Sequence, residues 1–104
     1  MVSVEYIIDP LRADEFLDAI KVLEIQRRRD GAYQWHVFRD LADERKFTET
    51  FLVETWGEHL RQHERVTMSD RAAEQNVDSF HMDKLGPKVG HFIAAQSAHA
   101  KLTT

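Results

Sequence analysis

Lys46-Phe47-Thr48-Glu49-Thr50-Phe51-Leu52-Val53-Glu54-Thr55-Trp56 alternates residue by residue, with Phe47, Glu49, Phe51, Val53 and Thr55 opposed to Thr48, Thr50, Leu52, Glu54 and Trp56. A period of two marks a β-strand, whose successive side chains leave opposite faces. Just upstream, Ala32 to Asp40 is rich in aromatic and β-branched residues, with Tyr33, Trp35 and Val37 on one face and His36 and Phe38 on the other. The charged, turn-like Leu41 to Arg45 joins the two stretches, which predicts a hairpin.

Outward from the hairpin, Val2, Val4, Tyr6 and Ile8 share one face of a first strand, with Ser3, Glu5 and Ile7 on the other. Asp9-Pro10 supplies a side-chain cap and a first-turn proline for a helix whose Ala13, Phe16, Leu17, Ile20 and Leu23 recur at helical spacing. That helix is expected to end near Arg29. Arg27, Arg28 and Arg29 then suit the negative end of its dipole, and Asp30-Gly31 suits a left-handed cap, so the basic triplet is explained without a ligand. Beyond the hairpin, Gly57 opens a second helical region containing Leu60 and His63, broken around Thr67 to Asp70 and resumed by Ala73, Val77 and Phe80. Gly86-Pro87 precedes a last strand over Lys88 to Ala94, and Ala95 to Thr104 reads as a frayed tail.

The order is β-α-β-β-α-β, an α+β arrangement of ferredoxin-like topology in which a four-stranded antiparallel sheet carries both helices on one face. At 104 residues the chain is expected to be a single domain, 1–104, without repeats or linkers. Large side chains lie on both sheet faces, so the helix-free face needs a cover; a two-fold homodimer closing two sheets into a barrel supplies one.

The composition is 42% hydrophobic and 31% charged with a net charge of -4, which is globular and mildly acidic; neither nucleic acid nor an anionic membrane is expected as partner. With no cysteine, disulfides, thiolate zinc sites and a cysteine nucleophile are excluded. The amino-terminal stretch lacks signal-peptide character and no long apolar run follows, so a cytoplasmic location is expected.

The segment Glu49 to Trp56, followed by Gly57-Glu58-His59-Leu60-Arg61-Gln62-His63, resembles the antibiotic-biosynthesis-monooxygenase family of dimeric α+β barrels, which ends its third strand with an acidic and an aromatic residue and places a His in the next helix. Glu54, Trp56 and His63 fill those positions. Val4-Glu5-Tyr6, Ile25 to Gly31, Phe38 to Asp43 and Phe51 to Arg65 look more closely like the soluble C-terminal extension of some major-facilitator-type transporters. The resemblance implies cofactor-independent oxygenation of phenols or quinols, haem degradation, or no known activity. Haem degradation is disfavoured because the first strand, Val2 to Ile8, lacks the Asn that the haem-degrading branch uses.

Cofactor-free oxygenation of a phenol needs an electron-rich anion, aromatic walls to hold it and a donor for the developing oxyanion. Trp35, Trp56, Tyr33, Tyr6 and Phe51 are candidates for a pocket on the helix-free sheet face, with His36 or His63 moving a proton. The competing reading makes the aromatic stripe core or dimer interface. Glu5, Glu49 and Glu54 fall on predicted strands; Glu54 shares a face with Trp56, and a buried carboxylate would need a partner such as Arg39. His59 and His63 lie one helical turn apart without a third ligand fixed by spacing, so no metal is expected, and with no phosphate loop, nucleophile elbow or dinucleotide fingerprint no cofactor is expected either. Two functions follow: a cofactor-independent monooxygenase of a small phenol or quinol with His63, Trp56 and His36 catalytic and Tyr6, Trp35, Phe51 and Glu54 binding substrate, or a non-catalytic small-molecule-binding or regulatory module.

Overall fold

β1 (Val2–Ile7) organises the sheet: it pairs antiparallel with β3 (Lys46–Leu52) on one side and β4 (Lys88–His91) on the other, while β2 (Tyr33–Arg39) pairs outside β3. The computed structural model describes residues 1–55, 57 and 68–95. With α1 (Ala13–Arg29) between β1 and β2 and α2 (Met68–Asp78) between β3 and β4, the sheet order β2-β3-β1-β4 is that of the ferredoxin-like α+β fold. The predicted order of elements is therefore present. The region from Trp56 through Thr67 other than Gly57, where helical character with Leu60 and His63 is predicted, and the tail beyond Ala95 lie outside the described residues.

Both helices cover one sheet face because their apolar stripes meet the same strand residues. Val4, Tyr6 and Ile8 of the first strand region, Phe47 of β3, Phe16, Ile20 and Leu23 of α1 and Val77 of α2 form one buried cluster. Each such side chain contributes roughly 1.5–3 kcal/mol on full burial. Phe16 is central, its ring 5.2 Å from Tyr6, 5.4 Å from Phe47 and 6.1 Å from Phe80.

Local chemistry sets the boundaries. Asp9 Oδ1 accepts the Leu11 N–H at 3.0 Å, and Pro10–Arg12 makes one 3-10 turn before α1 begins. At the other end Gly31, at φ +100°, turns the chain so that the Ala32 N–H reaches the Arg27 carbonyl at 2.9 Å. β3 is shorter than the alternation predicts: β1 begins at Val2, opposite Phe51, and gives residues beyond Leu52 no partner on that strand. β4 likewise stops at His91, though the Phe92 N–H still reaches the Met1 carbonyl at 2.7 Å. After α2 the chain is tied to β1 by the Ile7 N–H donating to His81 Nδ1 at 2.9 Å and the Met82 N–H donating to the Ile7 carbonyl at 2.8 Å.

One departure changes which residues share a face. Tyr33 pairs with Leu52 but His36 pairs with Thr50, so β2 carries one extra residue between them, and Gln34 takes φ +49°. Alternation predicts Tyr33 beside Trp35 and Val37; the bulge moves it to the other face, with Leu52, where it is 41% exposed. On that helix-free face Gly90 makes room for the Phe92 ring, since a Cβ there would lie 2.8 Å from it and 2.9 Å from the Ser3 hydroxyl.

Candidate functional site

Glu49 lies in the middle of the apolar stripe of β3, between Phe47 and Phe51, and is fully buried on the helix side. A carboxylate in that position is tolerated only if its lone pairs are met. Its register partners Val4 and Val37 are apolar, so the donors come from the diagonals and from above. Trp35 Nε1 donates to Oε2 at 2.7 Å and the Tyr6 hydroxyl to Oε1 at 3.4 Å. Arg27 completes the set with two bonds, Nε to Oε2 at 3.1 Å and Nη2 to Oε1 at 3.3 Å. Four donors thus hold one carboxylate across three strands and a helix.

Arg27 reaches inward because 16, 20, 23 and 27 form one helical stripe, continuing that of Phe16, Ile20 and Leu23. Its neighbours point elsewhere: Arg28 bonds Glu24 at 2.8 Å, and Arg29 bonds Asp70 at 2.8 Å and Asp30 at 3.3 Å. The triplet is thus not only a helix-dipole feature; its first member is a buried ion-pair partner. The carboxylate with a buried partner is Glu49 and the partner is Arg27, where the sequence suggested Arg39, which is exposed on β2.

Arg27 also forms part of a cavity of about 250 Å³. Val2, Val4 and Tyr6 of β1 and Phe51 of β3 supply its floor, Leu23 and Arg27 one wall, and Val89 and His91 of β4 another. Glu74 and Asp78 of α2 close the remaining side, Glu74 half-buried and Asp78 exposed at the rim. The guanidinium of Arg27 stacks 5.0 Å over the Phe51 ring, and its Nη1 lies 3.8 Å from Glu74. A site of about 150 Å³ takes a benzene ring, so this one has room for a substituted ring or a fused pair.

Three groups in the wall are shifted. Burial, then the negative charge of Glu49, pushes the Tyr6 phenol far above its ordinary value of 10.0, so it stays protonated. Burial pulls Arg27 down, but the Glu49 carboxylate more than offsets this and the net direction is up. Burial and then Glu74 raise the Asp78 carboxyl above its ordinary range.

The structure brings together Tyr6, Trp35 and Phe51 from the sequence candidates, on the helix side of the sheet and not on the helix-free face predicted for the pocket. Tyr6 and Phe51 line the cavity, whereas the Trp35 indole is anchored behind it on Glu49. His36 lies on the opposite face, exposed, its ring 5.6 Å from that of Phe38, because it pairs with Thr50 on the outward phase of the strand. Glu54 lies past the end of β3, exposed, lining a second hollow of about 440 Å³ with Met1, Val53, Thr55 and Phe92. Trp56 and His63 lie outside the described residues. Sequence reasoning passed over Glu74 and Asp78, named Glu49 only among the strand carboxylates and read Arg27 only as a helix-end cation; the signal for the last two was a charged residue at an inward position of an apolar repeat. Among the described residues no group of three His, Asp or Glu side chains is placed to hold a metal ion, and no helix is long and apolar enough to cross a membrane.

A four-stranded antiparallel sheet carrying its helices on one face is the ferredoxin-like α+β fold, and solved structures named as antibiotic biosynthesis monooxygenases share it. A provisionally named antibiotic biosynthesis monooxygenase from Bordetella bronchiseptica is similar with a TM-score of 0.74 at 14% identity, over 91% of this chain and 95% of that chain. Another from Caulobacter crescentus CB15 gives 0.73 at 15% identity, over 91% and 88%. A conserved protein from Methanosarcina mazei Go1 gives 0.69 at 17% identity, over 86% and 85%. At such identities the likeness is one of fold. No curated protein matches the chain. Residues 1–99 match the family described as transmembrane secretion effector, and the chain belongs to that family.

Proposed function

We propose that the chain is a non-catalytic small-molecule-binding or regulatory module that holds one flat, mostly apolar compound in the cavity beside Tyr6 and Arg27. The observation that carries this reading is the cavity lining, apolar or aromatic at Val2, Val4, Tyr6, Phe51 and Val89, with the carboxylates Glu74 and Asp78 beside a guanidinium, Arg27, that is already bonded to Glu49. A phenolate, the anion that oxygen must attack, would form next to the Glu74 and Asp78 carboxylates, which disfavour it. Arg27, the cation at hand, is already matched by Glu49. The family description, which speaks of secretion across a membrane, supports a part that senses or hands over cargo, as the likeness to a transporter extension does.

A cofactor-independent monooxygenase of a small phenol or quinol is the second reading, favoured by a preformed cavity with a carboxylate of raised pKa, Asp78, at its rim. In that reaction the carboxylate takes the phenol proton and the para carbon bonds O2 as a hydroperoxide. The O–O bond then breaks with loss of the ring proton, so phenol plus O2 gives quinone plus water with no added reductant. His63 and Trp56 would join the site from the part of the chain after β3.

A homodimer in the cytoplasm is part of the proposal. Phe38 and Phe92, 54% and 55% exposed, stand on the helix-free face, and a second sheet would cover them. Light scattering is expected to give twice the 12.2 kDa chain mass. To separate the two readings, a panel of naphthols and hydroquinones is incubated with the protein while melting temperature and oxygen uptake are followed. A concentration-dependent rise in melting temperature with oxygen uptake no faster than buffer supports binding. Protein-dependent uptake that Asp78→Asn abolishes overturns it in favour of the oxygenase.

A further inference from the structure

The charge of the cavity says which ligands it prefers. Among the described residues three carboxylates, Glu49, Glu74 and Asp78, face or back the cavity against one guanidinium, Arg27. Arg27 is engaged by Glu49 through two bonds and lies 3.8 Å from Glu74, so it has little charge left to offer a ligand. The excess is negative and sits at the rim, on Asp78 and Glu74, while the rest of the lining is mainly apolar or aromatic, Val2, Val4, Tyr6, Phe51 and Val89, with the His91 imidazole on the β4 wall.

We infer that the cavity is a receptor for a lipophilic aromatic cation, whose flat body seats on Val2, Val4, Phe51 and Val89 and whose positive group meets Asp78 and Glu74 at the rim. This rests on the binding reading above and narrows it to a chemical class. An anionic ring compound loses twice, by repulsion from the rim and by finding Arg27 already paired. A neutral one keeps only the apolar contacts. The groups that face Asp78 are Glu74 on its own helix, Arg27 on α1, Glu49 on β3, Tyr6 on β1 and His81 in the turn after α2. Burial and Glu74 raise the Asp78 carboxyl and a bound cation favours its ionised form, so the preference for cations is expected to fade as acidification protonates it.

Three probes with one ring system test this: 1-naphthylmethylamine, 1-naphthalenemethanol and 1-naphthoate, titrated calorimetrically at pH 8 and low salt. The ammonium compound is expected to bind roughly tenfold more tightly than the alcohol, and the alcohol more tightly than the carboxylate. Raising the salt to about 0.5 M shrinks the first gap by screening. Asp78→Asn with Glu74→Gln collapses the ammonium-to-alcohol ratio, while Asp14→Asn, which removes an exposed charge from the first turn of α1, leaves it intact. Equal affinity for ammonium and alcohol, or tightest binding of the naphthoate, overturns the charge preference and leaves the binding reading standing. Binding of none of the three overturns both.

Discussion

Replacing Glu49 by glutamine probes the polar knot that fixes the cavity wall. The amide keeps the shape of the carboxylate but gives up its charge and one acceptor. Its NH2 cannot sit where Oε2 is, facing the two obligate donors Arg27 Nε and Trp35 Nε1. Placed at the Oε1 position it meets the Tyr6 hydroxyl, which can turn to accept, but still opposes Arg27 Nη2. Losing one member of a buried ion pair costs about 3–5 kcal/mol. Arg27 retains 20% side-chain exposure and a contact with Glu74 at 3.8 Å, which lowers the figure to roughly 2–4 kcal/mol. For a domain of this size each kcal/mol moves the melting temperature by about 4–8 °C, so a fall of at least 8 °C or so is expected. Urea unfolding followed by tryptophan fluorescence measures it, and an unchanged m-value shows that the native state is still compact. A double-mutant cycle with Arg27→Met isolates the pair: the double variant is expected to be less destabilised than the sum of the singles by more than about 1 kcal/mol. A Glu49→Gln variant within about 0.5 kcal/mol of the wild type, or additive singles, would refute the buried pair.

Tyr6 gives the protein an alkaline limit. Its folded pKa lies above 10.0, so its contribution is complete below that pH and is lost as pH rises toward the folded value. At 1.5 units above 10 the loss reaches about 2 kcal/mol, and Tyr6→Phe removes that slope; parallel urea midpoints for the two proteins from pH 10 to 11.5 would count against it. Asp78 behaves with the same sign at acid pH. Its raised carboxyl favours folding below the ordinary carboxylate range, and that advantage is lost as pH rises through the folded pKa. Asp78→Asn should therefore melt slightly higher than the wild type at pH 7 and equally near pH 3, by under about 1 kcal/mol because solvent screens the rim; a lower melting point at pH 7 sinks the idea. Gly31→Ala forces a side chain into φ +100° at the end of α1 and is expected to cost about 1–2 kcal/mol in urea unfolding, whereas no measurable loss would mean the cap relaxes.

The element order was legible because β1 and β3 bury one phase of a period-two pattern and α1 buries a 3.6-period stripe. Val2, Val4, Tyr6 and Ile8 sit at or below 6% exposure, as their alternation implies. The site was less legible for two physical reasons. Arg27 fits a helix-end explanation so well that its place on the Phe16-Ile20-Leu23 stripe is easily passed over, although the spacing was there to be read. The bulge in β2 had no such signal, since Gln34 is not a residue that announces a positive φ, and an unannounced extra residue reverses every facing assignment upstream of it. Which sheet face holds a cavity depends on how α2 and β4 meet β1 in space. Contacts such as Ile7 N–H to His81 Nδ1 join residues 74 apart and leave no local trace.

The close approach at Gly90 makes two properties of this domain separable in evolution. Any side chain there would collide with the Phe92 ring at 2.8 Å and lift it off the strand, altering the relief of the outward face. The neighbouring strand positions Val89 and His91 face the cavity on the other side and would be untouched. One methyl group at position 90 can therefore redraw what the sheet's open side fits against while the hollow beneath the helices keeps its lining. A lineage could thus alter the proposed dimer face without altering the proposed ligand site, through a residue that does not line the cavity.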